Sequence, residues 1–161
     1  MGNKKYMIRT LENIDREKIQ TILIETGNFH DYEITVAMEL IDAYINDKNQ
    51  KDYYIFVDEE SDIIRGYVCV GPRPMTKSTY DLYWIAVNPS VQSKGIGSKL
   101  IKYAEDFILS KGGKLILIET SGKPSYEKER HFYQKNSYDK ITEIKDFYDK
   151  GDSLVIYGKY I

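Results

Sequence analysis

The stretch Gln92-Ser93-Lys94-Gly95-Ile96-Gly97 lies between a strand-like run at 80–87 and an amphipathic, helix-like run at 98–111. A helix that begins straight after a glycine-bearing turn directs several unpaired backbone N–H groups at whatever the turn holds. The helix dipole adds partial positive charge at the same point. Such a turn suits a diphosphate. Gly95 and Gly97 permit close backbone approach and left-handed dihedrals, and Lys94 and Lys99 put cations at the mouth. The spacing excludes two familiar nucleotide loops. G-x-x-x-x-G-K-[ST] is absent from the chain. G-x-G-x-x-G fails because Leu100 occupies the third glycine position.

Outward from this turn, hydrophobic periodicity lays out a mixed α/β chain. Strands are expected at 6–10, at 52–58 and 63–70 (a hairpin across 59–62), at 80–87, at 114–120, and as a closing pair at 141–145 and 153–160. The apolar run Leu115-Ile116-Leu117-Ile118 suits a central strand covered on both faces. Helices are expected from Asn13 or Asp15 to Thr26, over 31–47, over 98–111, and over 125–136 with Ser125 as cap. In the second helix Val36, Ala37, Leu40, Ile41, Tyr44 and Ile45 form the buried stripe. The run Gly71-Pro72-Arg73-Pro74 breaks the third strand. The order is β-α-α-β-β-β-α-β-α-β-β.

At 161 residues, with 42% hydrophobic and 30% charged side chains, the chain reads as one globular domain over 1–161. A net charge of −2 supplies no basic field for nucleic acid or an anionic membrane. The expected partner is therefore a small molecule or peptide. No apolar run has the length of a membrane span and the start lacks a signal-peptide core, so a cytoplasmic location is expected. The single cysteine, Cys69, sits in an apolar strand and reads as a buried hydrophobe. No Cys/His/carboxylate cluster has metal-ligand spacing, so no metal is expected.

Three segments together resemble the GNAT superfamily of acyl-CoA-dependent N-acetyltransferases. The turn 92–97 resembles that family's Q/R-x-x-G-x-G/A loop. Asp81-Leu82-Tyr83-Trp84-Ile85-Ala86-Val87-Asn88-Pro89 looks like its fourth strand. Phe132-Tyr133-Gln134-Lys135-Asn136-Ser137-Tyr138 looks like its F-Y-x-K-x-G-F/Y signature. The similarity spans 51–161 well and 1–50 by element order alone. It implies a mainly antiparallel central sheet flanked by helices, with the fourth and fifth strands splayed, and acetyl-CoA as co-substrate. The pattern departs at Tyr126, near where many relatives have an asparagine, and at Ser137, which stands where glycine is usual, so the turn falls to Asn136 or to a strained serine.

The resemblance also implies roles. Backbone groups of Ile85, Ala86 and Val87 would pair with the pantetheine arm. The diphosphate would take the loop and first helical turn at Gln92, Ser93, Lys94, Gly95, Ile96, Gly97 and Ser98. Tyr126 and Lys135 would lie beside the cofactor, and Arg130 would reach a CoA phosphate or pair with Glu127 or Asp106. Tyr133 is the candidate general acid toward the departing thiolate. Asp81 is the first candidate base toward the amine and Glu119 the second. The expected reaction is direct acetyl transfer to a primary amine of a small molecule or peptide within a ternary complex. The alternative is a non-catalytic acyl-CoA-binding module of the same fold; a third reading gives the loop some other phosphate ligand. Oligomeric state is open, a homodimer included.

Overall fold

The computed structural model describes residues 5–91 and 94–161. Seven strands form one sheet in the order β1-β2-β3-β4-β5-β7-β6: β1 Tyr6–Thr10, β2 Tyr54–Glu60, β3 Ile63–Pro72, β4 Thr79–Val87, β5 Leu115–Ser121, β6 Asp139–Asp149 and β7 Asp152–Tyr160. Four α-helices accompany them: α1 Arg16–Glu25, α2 Asp31–Asn46, α3 Ile96–Ser110 and α4 Glu127–Lys135. The β1–β2, β2–β3, β5–β7 and β6–β7 pairs are antiparallel and β4–β5 is parallel. The expected mixed, mainly antiparallel α/β architecture is the one observed. Backbone contacts gather the chain into two compact units, one running to Gly71 and including Trp84–Asp106, the other made of Pro72–Tyr83 and Phe107–Ile161.

In the first unit, β2 and β3 meet through a two-residue turn in which Ser61 (φ 52°) and Asp62 (φ 65°) are both left-handed. That conformation matches the strand twist, so the hairpin closes tightly. Ile64–Gly71 is buried without interruption, so β3 is covered on both faces. Gly66 has a packing reason: a Cβ there would come within 2.8 Å of the Ala86 carbonyl oxygen. The stripe of α3 follows its period, with Ile96, Leu100, Ile101, Ala104 and Ile108 all buried. On α2 the stripe is rotated from the expected one. Met38 joins Ala37 and Ile41 inside, and Val36 is exposed.

The start of α1 also differs. A 3-10 turn over Asn13–Asp15 precedes the helix, and Asp15 Oδ2 accepts the Glu12 N–H (2.9 Å) and Arg9 Nη1 (2.7 Å), while Arg9 Nη2 donates to Oδ1 at 3.0 Å. Asp15 is fully buried, which two charge-assisted partners make tolerable. A second buried pair joins Arg65 to Asp58 at 2.6 Å, with Glu60 at 3.2 Å and the Tyr6 ring 4.9 Å from the guanidinium carbon.

In the second unit, β7 pairs with β5 along all of Leu115–Ser121. The β4–β5 ladder is short: Thr79↔Leu115, Tyr80↔Ile116 and Asp81↔Leu117 are its pairs among the described residues. A 3-10 turn over Pro124–Tyr126, capped by Lys123, comes before α4, whose own cap is Tyr126 and not the expected Ser125. At the other end Ser137 adopts φ +68°, so the serine itself makes the left-handed turn, and the Asn136 amide caps the Phe132 carbonyl at 2.9 Å. β6 is twice as long as expected and exposed throughout, with breaks in register after Lys140 and Ile144. No helix is long and apolar enough to cross a membrane among the described residues.

Candidate active site

In the second unit the end of the short ladder gathers charge. Paired residues on neighbouring strands project to the same face, and so do residues two apart on one strand. Asp81 is level with Leu117, so Glu119, two residues further along β5, shares its face. Both carboxylates reach the same guanidinium nitrogen. Arg73 Nη1 lies 2.9 Å from Asp81 Oδ1 and 3.2 Å from Glu119 Oε1. Arg73 follows β3 directly and is fixed at its backbone, where its N–H donates to the Thr79 carbonyl at 2.8 Å.

Asp81 is buried and Glu119 is open to solvent. Burial raises the Asp81 carboxyl above the ordinary aspartate value, Arg73 opposes that rise, the Glu119 charge adds to it, and a hydrogen bond from Tyr83 opposes it. The cluster therefore holds one retained carboxylate and one that faces water. The sequence reading placed Asp81 and Glu119 as rival bases; the structure sets them side by side. It missed Arg73 altogether, because the residue sits in a Gly-Pro-Arg-Pro run that signals only a turn. The available signal was its spacing: an arginine eight residues before an aspartate, across a strand connection.

Tyr133 is carried by α4, whose entry is pinned to the end of β5. Arg130 Nη1 donates to the carbonyls of Ser121 and Lys123, each at 2.8 Å. Ser121 Oγ donates to Asp152, and Lys123 stands 3.5 Å from the same carboxylate. Arg130 is thus a backbone clamp. The Tyr133 ring packs against Phe132 (5.7 Å between centroids) and Tyr157 (6.1 Å), and its carbonyl accepts the Tyr138 N–H at 3.0 Å. Burial pushes the phenol well above its ordinary value, and the Glu129 carboxylate one turn earlier adds to the effect. Tyr126 is half-buried in the 3-10 turn, and Lys135 is exposed at the end of α4.

In the first unit, Ile85 and Val87 are half-buried and Ala86 is buried. Asn88 N–H donates to the Arg65 carbonyl at 2.7 Å, which anchors the chain as it leaves β4. The helix begins earlier than expected, so Ile96 and Gly97, expected in the loop, join Ser98 in its first turn. Lys99 N–H donates to the Gly95 carbonyl at 3.1 Å, and the three N–H groups before it are those a helix start leaves without intrahelical acceptors. Gly95 has φ +72° with no atom within 4 Å of an added Cβ. Its glycine is required by backbone conformation and leaves open space for an anion. Lys94 is exposed beside it. Gln92 and Ser93, also expected at the diphosphate, lie outside the described residues. These features fit the phosphate arm of a CoA thioester.

Cys69 is buried, and burial raises its thiol far above the range in which a thiolate forms. It supplies no nucleophile.

Comparison with known proteins agrees with this architecture. The family model described as the acetyltransferase (GNAT) family matches residues 17–138. A crystal structure of a Desulfovibrio desulfuricans protein, described as an acetyltransferase of the GNAT family, is 34% identical, covers 97% of this chain and 99% of its own, and has a TM-score of 0.91. An aminoglycoside 6'-N-acetyltransferase complexed with coenzyme A shares the fold at 16% identity, 96% coverage of both chains and a TM-score of 0.75. The Salmonella typhimurium protein yncA, described as an acetyltransferase with its cofactor acetyl-CoA, does so at 16% identity, 96% and 93% coverage and a TM-score of 0.69. Among curated protein sequences none matches. The chain belongs to the GNAT family of acetyltransferases.

Proposed function

We propose that this protein transfers an acetyl group from acetyl-CoA directly to a primary amine of a small molecule or peptide, within a ternary complex. The observation that carries this reading is the carboxylate pair Asp81 and Glu119, gathered on one sheet face at the point where the β4–β5 ladder ends. An ammonium ion must lose a proton before it can attack a thioester, and a buried carboxylate of raised proton affinity is suited to take it. Glu119 meets the incoming cation from the solvent side, and Asp81 accepts the proton, directly or through water.

Backbone groups of Ile85, Ala86 and Val87 hold the pantetheine arm, and the α3 start from Lys94 to Ser98, preceded by Gln92 and Ser93, holds the diphosphate. Tyr126 and Lys135 flank the cofactor. As the C–N bond forms and the C–S bond breaks, Tyr133 donates its phenolic hydrogen to the departing sulfur, and the proton that the nitrogen sheds on becoming an amide replaces it through water. Its raised pKa keeps the phenol protonated at every physiological pH. Burial makes it a weaker acid, but a thiolate in the same dry surroundings is a stronger base, so the donation survives. The buried Cys69 thiol stays protonated and so is not set up to carry the acyl group.

The test is a CoA-release assay with acetyl-CoA and a panel of polyamines, amino acids and peptides, run beside calorimetric titration with CoA. CoA binding with turnover of at least one amine, and no acetylated enzyme by intact mass when amine is omitted, is expected. Tight CoA binding with no amine consumed returns the chain to the non-catalytic module, and absence of CoA binding removes both readings.

A further inference from the structure

Arg73 has no assigned part in the chemistry above, yet one of its nitrogens touches both carboxylates that do. Without a cation there, Asp81 and Glu119 would repel each other across one sheet face, and the buried member would be forced toward its neutral form. We infer that Arg73 is a positioning residue of the acceptor site, a resident guanidinium that draws Asp81 and Glu119 together and leaves the pair one net negative charge for one ammonium group. The inference takes its substrate chemistry from the acetyl-transfer reading.

Three observations support it. The root of Arg73 is fixed, with its N–H on the Thr79 carbonyl at 2.8 Å and its carbonyl accepting the Thr76 hydroxyl at 2.8 Å. The tip is open: 40% of the side chain is exposed, as is 41% of Glu119, against 10% of Asp81. The charge count then gives two carboxylates against one guanidinium. A monocationic primary amine neutralises the remainder. An acceptor with its own carboxylate beside the amine adds charge that nothing here matches, and a dication exceeds what the pair offers.

The groups that face Asp81 are Arg73, Glu119 and Tyr83, and burial is the largest influence on it. Arg73 pulls the carboxyl down while burial and Glu119 push it up. Removing the guanidinium therefore lets the carboxyl rise further. A base works only when deprotonated, so activity must fall off at a higher pH in such a variant.

The experiment compares wild type, Arg73→Gln and Arg73→Lys. Asp81 is titrated by carboxyl carbon NMR, and kcat/KM is measured against pH with propylamine and with 1,3-diaminopropane. In Arg73→Gln the Asp81 titration and the acid limb should both move up by about 1 pH unit or more. The diamine should gain about tenfold on the monoamine, since the pair then carries two uncompensated charges. Arg73→Lys should restore most of both. An Asp81 titration unmoved in Arg73→Gln, or an unchanged ratio between the two amines, overturns the inference. Should wild type turn over no amine, the acetyl-transfer reading fails, and the NMR titration still decides whether Arg73 sets Asp81.

Discussion

Arg65 and Arg73 each grip two carboxylates at nearly equal distances, 2.6 and 3.2 Å for the first, 2.9 and 3.2 Å for the second. Each reaches an aspartate seven or eight residues away along the chain, across a strand connection. Burial separates them. Asp58 is fully enclosed and Arg65 is 10% exposed, so their charges are spent on each other. Asp58 Oδ2 and Arg65 Nη2 are even left without hydrogen-bond partners among the described residues. Arg73 and Glu119 open to solvent and keep charge that a ligand can meet. The same three side-chain types make a structural brace in one place and a candidate binding surface in the other.

Three variants break or sharpen this contrast. Arg65→Met leaves Asp58 as an unpaired buried charge and should cost about 3–5 kcal/mol, read as a lower urea midpoint. Adding Asp58→Leu removes that charge, so the double variant should recover most of the loss, to within about 1–2 kcal/mol of wild type. Failure to recover would mean that Arg65 packs the hairpin more than it neutralises it. Arg73→Met should cost less, about 1–2 kcal/mol, because exposed Glu119 gains water while buried Asp81 keeps its bond from Tyr83 and can take up a proton. An Arg73→Met loss equal to that of Arg65→Met would erase the distinction.

The sequence made the sheet legible wherever periodicity was strong: β2, β3, β5 and the α3 stripe stand within a few residues of expectation. It failed where local capping or packing decided the outcome. The α3 start moved back into the glycine turn because Ile96 is a buried stripe residue and, of the turn's two glycines, Gly95 supplies the left-handed backbone. Ser137 accepts a conformation that glycine would take more cheaply, since Tyr138 is fixed by burial and by its bond to the Tyr133 carbonyl. The cap of the 3-10 turn before α4 fell to Lys123 because Pro124 suits a first helical position and lacks an N–H to cap. For the candidate site, Tyr133 and Asp81 could be named from motif positions and Glu119 from its place at the end of an apolar strand. Their grouping could not, because it depends on a three-pair ladder and on an arginine carried by a loop without a motif.

The central claim, that a buried phenol on α4 completes acetyl transfer, is met most directly by Tyr133→Phe. Loss of one hydroxyl leaves the ring packing with Phe132 and Tyr157 in place. The account predicts that kcat for amine acetylation falls by about 100-fold or more while calorimetric affinity for acetyl-CoA stays within about twofold. Equal turnover in the variant and wild type, at equal affinity, would contradict it.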